Sequence, residues 1–198
     1  MAVRLAAGGV QVTLGSRDAE RAVGIAEEVG ANAPIACLGA DNAGAACADV
    51  VILATPWESA IATLRPLREL LAGKVVISMA NALVKEGREM LALIPPRGSV
   101  AAAVQATLPA SLVAAAFHHL PASEMEDLES GLEADVLVCS DHPEATVVTA
   151  SLIELMPGLR PLNAGSLSQA SAIEAFTAVC ITLNIRYKAH STLRMAGI

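Results

Sequence analysis

The 198 residues hold 13 Lys+Arg against 20 Asp+Glu, a formal charge of −7, with 54% apolar and only 2% aromatic side chains. So acidic and aromatic-poor a chain has neither the electrostatic footprint nor the stacking platform that nucleic acid needs, and no run of about 18 uncharged apolar residues reads as a membrane span. One large domain, or one with a small appendage, is expected, with a core of Ala, Val, Leu and Ile.

Taken in order, "MAVRLAAGG" reads as the second half of a helix, with Gly8-Gly9 where a cap belongs. It has neither the length nor the flanks of a signal peptide. "VQVTLG" (10–15) is a strand, and 18–30 a helix with Asp18 near its start and Gly30 just past its end. A short helix (41–48), a buried strand (49–56) and a helical stretch (57–73) follow; Pro66 must kink or split that stretch. Then come a strand (74–81), a turn at "IPPRG" (94–98), and an Ala-rich run from Ser99 to Phe117 that reads as buried helix, then strand. That strand ends near His118. A helix over 123–132, a strand over 134–141, a helix over 142–158, a short strand over 159–165 and one long helix from Ser166 to about His190 complete the chain. Strands that run as unbroken Val/Ile/Leu are buried on both faces, so the expected fold is a doubly wound, mostly parallel α/β sheet. The long last helix has a broad apolar face that packs on its own domain or on a second copy.

Cys37, Cys47, Cys139 and Cys180 show no CxxC spacing and stand beside no His, so reduced core thiols are expected. A cytosolic location follows from that.

Three places invite chemistry. Ser16-Arg17, with Arg21 a helical turn on, ends the first strand, where a dinucleotide fold holds the adenine-side ribose. An Arg there suits a 2′-phosphate, whereas Asp or Glu would suit NAD; ordinary surface arginines are the plainer reading. Ala54, Thr55, Pro56 and Trp57 close the next strand at the carboxyl edge, where a flat ring can approach small residues; a Trp covering a helix is the alternative. His118 and His119 follow another strand, and no acidic partner is spaced to build a metal site. His118 suits acid/base work or a ligand contact, but a solvated or satisfied polar role is the expectation for such a pair. No metal ligand set, GxSxG, P-loop or GxGxxG is found.

The segments "VTLGSRDAERA", "ADVVILATPWESA", "LAGKVVISMAN", "AAAFHHLPASEMEDLE", "DVLVCSD", "MPGLRPLNAGSL" and "LNIRYKAHSTLRMAGI", in that order, resemble the NADPH-dependent coenzyme F420 reductases (F420H2:NADP oxidoreductases). The resemblance runs from about residue 4 to the C-terminus, and the succession FHHLPA, VLVCSD, GLRPLNAG makes it specific. It implies a Rossmann-like fold and hydride transfer between NADP(H) and the deazaflavin F420, with no covalent catalyst among the side chains. On this footing Ser16, Arg17 and Arg21 match the 2′-phosphate site, and Ala54, Thr55 and Pro56 match the nicotinamide edge, with Trp57 and Asn81 counted beside them. His118, Leu120, Pro121 and Ala122 match the deazaflavin segment. Residues 1–122 would bind NADP; 123–198 would complete the F420 cleft and a homodimer contact. The family opens with a strand and a Gly-rich pyrophosphate loop that "MAVRLAAGG" does not supply. A wrongly chosen start codon or an expression boundary is the expected reason, since the later ligand-edge residues are intact; the alternative is a variant that folds without that strand. Two other functions are open: another NADP-dependent reductase (imine, carbonyl or metal chelate) and a non-catalytic dimeric interaction protein.

Overall fold

At three helix starts a side-chain oxygen satisfies one of the first free N–H groups and fixes where the helix begins. Asp18 accepts from the Arg21 N–H at 3.1 Å and starts a helix at Ala19; Asp41 accepts from the Gly44 N–H at 2.7 Å; Ser99 accepts from the Ala102 N–H at 2.9 Å. The computed structural model describes every residue except Asn32 and Ser130. Its helices are α1 (Ala2–Ala7), α2 (Ala19–Gly30), α3 (Asn42–Ala45), α4 (Trp57–Leu64), α5 (Val100–Thr107), α6 (Ala122–Glu126), α7 (Pro143–Glu154) and α8 (Ala170–Tyr187). Its strands are β1 (Thr13–Ser16), β2 (Leu38–Asp41), β3 (Val50–Leu53), β4 (Val75–Ser78), β5 (Leu83–Glu86), β6 (Glu89–Ala92), β7 (Leu112–Ala115), β8 (Ala134–Ser140) and β9 (Leu159–Gly165).

Parallel ladders join β1 to β2, β3 to β4, β4 to β7 and β8 to β9; β8 runs antiparallel to β7. The order is β3-β4-β7-β8-β9 in one sheet and β1-β2 in a separate pair. The mostly parallel, doubly wound expectation holds, with that one reversal. The β7–β8 pairing carries the sheet past residue 122 without a break.

Both faces of the sheet are covered. On β4, Val75 and Ile77 enter one core with Ala114, Val136, Val138, Ile153 and Met156. Val76 enters the opposite one with Leu64, Leu71, Val104, Leu108 and Val113. A strand buried on both sides has no polar face to show, and for this reason "VVIS" reads as an unbroken apolar run.

Several boundaries differ from those expected. Residues 10–12 stand outside the β1 ladder, although the Val12 carbonyl still accepts from the Leu38 N–H at 2.8 Å. Pro66 splits the 57–73 stretch: α4 stops at Leu64 and Arg65–Leu67 form one 3₁₀ turn. The helix expected over 123–132 shortens to α6, and Ser130 within that span lies outside the described residues. The last helix starts at Ala170, after a 3₁₀ turn, and ends on Lys188 at φ 53. Gly8 caps α1, with Gly9 behind it at φ 82.

Two elements lay outside the sequence reading: β2, and the antiparallel hairpin β5–β6, which turns at Gly87 (φ 58) and packs under α8. All four cysteines are free; Cys37 and Cys139 are buried and Cys180 half-buried, but Cys47 is exposed and so is no core thiol. Among the described residues no helix is long and apolar enough to cross a membrane.

Candidate functional site

Three parallel strands, β3, β4 and β7, lie side by side, so their carboxyl ends form one edge. In open α/β sheets this edge is where ligands bind. From β3 it receives Thr55, Pro56 and Trp57; from β4, Asn81; from β7, Phe117 and His118. The Asn81 side chain donates from Nδ2 to the His118 carbonyl at 3.0 Å and so ties two of these ends together.

What this edge has in excess is unsatisfied polarity. The Thr55 hydroxyl, the Trp57 indole N–H, the Ser78 hydroxyl, Asn81 Oδ1 and all four ring nitrogens of His118 and His119 are buried without a hydrogen-bond partner. Buried polar atoms are normally paired, and leaving one unpaired costs about 1–3 kcal/mol. Such a concentration along one strand edge is the signature of a place where a ligand completes the hydrogen bonding.

The backbone is strained at the same spot. Phe117 sits at φ 68, a left-handed conformation that a bulky non-glycine residue adopts only when its surroundings enforce it. His118 and His119 follow directly, and both are buried. Neither is solvated or satisfied, which overturns the expectation for the pair. Burial pushes the His118 pKa down to about 3, with the neighbouring His119 adding to it. Burial also lowers that of His119, against a partial pull upward from Asp135. The surface next to them is made by half-buried Leu120 and Pro121 and exposed Ala122.

Ser16, Arg17 and Arg21 form a second group, at the end of β1 and the start of α2. Ser16 Oγ accepts from the Asp18 N–H at 3.1 Å, and Arg17 and Arg21 are exposed. Neither arginine is paired with an acid among the described residues, so two guanidinium forks are free to take an anion. No hydrogen bond or ion pair among the described residues links this group to the β3–β4–β7 edge. Ala54 and Pro56 are exposed on that edge, and Trp57 is half-buried.

One residue at the site escaped the sequence reading. Glu174 of α8 is buried, and its carboxylate accepts from the Val100 N–H at 2.8 Å and the Ala101 N–H at 3.1 Å. With Ser99, it satisfies the first N–H groups of α5 from a distant helix. Its Oε1 is 4.0 Å from Nε2 of His118. A lone Glu in the apolar run "ASAIEAFTAV" was the available signal. Among the described residues no cluster of three or more His, Cys, Asp or Glu can hold a metal ion.

The profile of the family described as NADP oxidoreductase, coenzyme F420-dependent, matches residues 1–82. An F420-dependent NADP reductase of Methanocaldococcus jannaschii is 36% identical across 97% of this chain and 89% of its own length. One from Methanothermobacter marburgensis is 34% identical across 100% of this chain and 90% of its own. Among solved structures, one named as a candidate F420-dependent NADP reductase from Arthrobacter sp. FB24 superposes with a TM-score of 0.82 at 25% identity, covering 99% of this chain and 96% of that one.

Proposed function

The chain belongs to the F420-dependent NADP reductase family, and from that premise we propose that it moves a hydride between NADP(H) and coenzyme F420. The observation that carries the reading is the row of unsatisfied polar atoms on the β3–β4–β7 edge. The two coenzymes supply the chemistry themselves, a hydride leaving C4 of the nicotinamide for C5 of the deazaflavin. The side chains bind, orient and keep water out.

The residues present suit that task. Arg17 and Arg21, uncommitted to any acid, take the 2′-phosphate, with the Ser16 hydroxyl beside them. Ala54, Thr55 and Pro56, with Trp57 and Asn81, meet the nicotinamide ribose and ring. The amide-rich rim of a nicotinamide or a deazaflavin offers what the Thr55 hydroxyl, the Trp57 N–H and Asn81 Oδ1 lack. Leu120, Pro121 and Ala122 give the deazaflavin an apolar wall, with the buried His118 just before them in the chain. We assign residues 1–122 to the NADP side and 123–198 to completing the F420 side. A homodimer fits the exposed stripe Phe176, Val179, Leu183 and Tyr187 on α8, and the four free cysteines fit a cytoplasmic setting.

The test follows F420 absorbance on addition of NADPH, with NADH as control. Loss of the deazaflavin band with NADPH supports the reading. A folded chain that leaves the band unchanged at saturating NADPH overturns it, and turnover of an imine or carbonyl in a parallel screen would reassign the substrate.

A further inference from the structure

Glu174 and His118 meet where three elements converge: the end of β7, the start of α5 and the first turns of α8. Both are close to fully buried, with side chains 5% and 1% exposed. The carboxylate is held in place by the Val100 and Ala101 N–H groups. Two effects oppose each other on it. The helix end and its two hydrogen bonds favour the charged form; burial disfavours it and prevails, raising the pKa to about 7. His118 is pinned neutral by its own burial, so near neutral pH the proton that comes and goes belongs to Glu174.

A neutral imidazole carries one proton, on one of two nitrogens, and its nearest polar neighbour decides which. For His118 the carboxylate oxygen facing Nε2 is Glu174 Oε1, at 4.0 Å. A carboxylate there favours a proton on Nε2; a carboxylic acid there favours a lone pair. We propose that Glu174 is a positioning residue for His118: ionised, it keeps the imidazole proton on Nε2; protonated, it sends that proton to Nδ1, so that Nδ1 changes from acceptor to donor. The balance is simple. One proton from solvent is taken up by the carboxyl group, and the ring keeps its single proton throughout and stays neutral.

The charged surroundings leave this pair to itself. His119 adjoins His118, and its own acidic neighbour Asp135 is engaged by Arg160 and Arg194. Among the described residues no Lys or Arg forms an ion pair with Glu174. The catalytic consequence rests on the F420 reading. Reduction of F420 by NADPH takes up a proton along with the hydride, and the reverse reaction releases one; a donor ring beside the deazaflavin wall serves the first direction and an acceptor ring the second.

The experiment uses the full chain without coenzymes, labelled with ¹⁵N-histidine. Two-bond ¹H–¹⁵N spectra are recorded from about pH 5 to about pH 9, a span that brackets both ordinary His and raised Glu titrations. The expected result is an exchange of the protonated and unprotonated nitrogens of His118, with one midpoint near neutrality, and its loss in Glu174→Gln. A single tautomer across the whole range, a cationic ring, or the same exchange persisting in E174Q would each overturn the proposal. The wild-type titration decides the matter even if E174Q fails to fold. In the F420 assay, kcat should carry a limb near neutrality that E174Q flattens, with KM for NADPH unchanged. A tautomer exchange in a chain with no F420 activity at any pH would remove the F420 reading and leave the positioning role standing.

Discussion

Asp135→Asn tests whether the C-terminal tail is latched by charge. Asp135, the second residue of β8, has no exposed side-chain surface. Its Oδ1 accepts from Arg160 Nε at 2.7 Å and Arg194 at 3.4 Å; its Oδ2 accepts from Arg160 at 2.7 Å and the Met195 N–H at 2.6 Å. Arg160 also donates to the carbonyls of Ile198 and Met195, so one buried carboxylate organises the tail. Removing one partner of a buried ion pair costs about 3–5 kcal/mol. Here the arginines are 39% and 45% exposed and rehydrate, and Asn retains part of the hydrogen bonding, so about 2–3 kcal/mol is the reasoned loss. For a chain of this size that lowers Tm by about 5–10 °C, read by circular dichroism at neutral pH. The hydrogen bonds from Arg160 hold the carboxyl well below the usual carboxylate range. With the folded pKa below the unfolded one, the stabilisation is complete above about pH 4 and disappears as pH falls through the folded value. The gap between wild type and variant should therefore be constant near neutrality and close in acid. A drop below about 2 °C, or a gap that widens on acidification, would refute the charge latch.

Replacing Arg17 and Arg21 together with Ala should raise KM for NADPH by about 10–100-fold, from about 1.5–3 kcal/mol of charge-assisted hydrogen bonding, and leave KM for NADH unmoved. Equal losses for both nucleotides would take the 2′-phosphate away from these residues. Gly158→Ala should destabilise the chain by about 3 kcal/mol or more, because Gly158 sits at φ +84 and a Cβ there would lie 1.9 Å from the Leu132 carbonyl oxygen. An unchanged urea midpoint would contradict that.

What was legible in the sequence was what is fixed locally or by burial on both sides. Asp18 and Ser99 announce their helices because the capping oxygen lies three residues from the N–H it satisfies. "VVILATP" and "KVVISMAN" announce buried strands because both faces are covered. The hairpin β5–β6 gave no such sign. Lys85, Glu86 and Glu89 interrupt its apolar residues, and Glu86 stands opposite Glu89 in the ladder, a pairing that destabilises by itself. It is held from far along the chain: Arg186 pairs with Glu89, and Thr182 accepts from the Met90 N–H at 3.0 Å. The strand β2 holds Gly39 and Ala40, poor strand formers. Gly39 is required because α2 lies against it, so closely that a Cβ would be 2.3 Å from the Val23 nitrogen. At the site, Ser16, Arg17, Thr55 and Asn81 could be found from strand ends alone. The burial of His118 could not, because it depends on the left-handed turn at Phe117 and on a carboxylate 56 positions onward in the chain.

The separation of β1–β2 from the five-stranded sheet has a consequence for motion. Among the described residues no ladder of backbone hydrogen bonds runs between the two pieces, and apolar side chains fasten the smaller one: Val12 and Leu14 against Ala6, Ala26 and Cys37, with Met1, Val10 and Val12 reaching the main core. Contacts of this kind loosen one at a time, whereas a continuous ladder opens as a unit. The piece that carries Arg17 and Arg21 is therefore the first cooperative unit to detach on warming, and an anion bridging it to the rest of the molecule would act as a rivet.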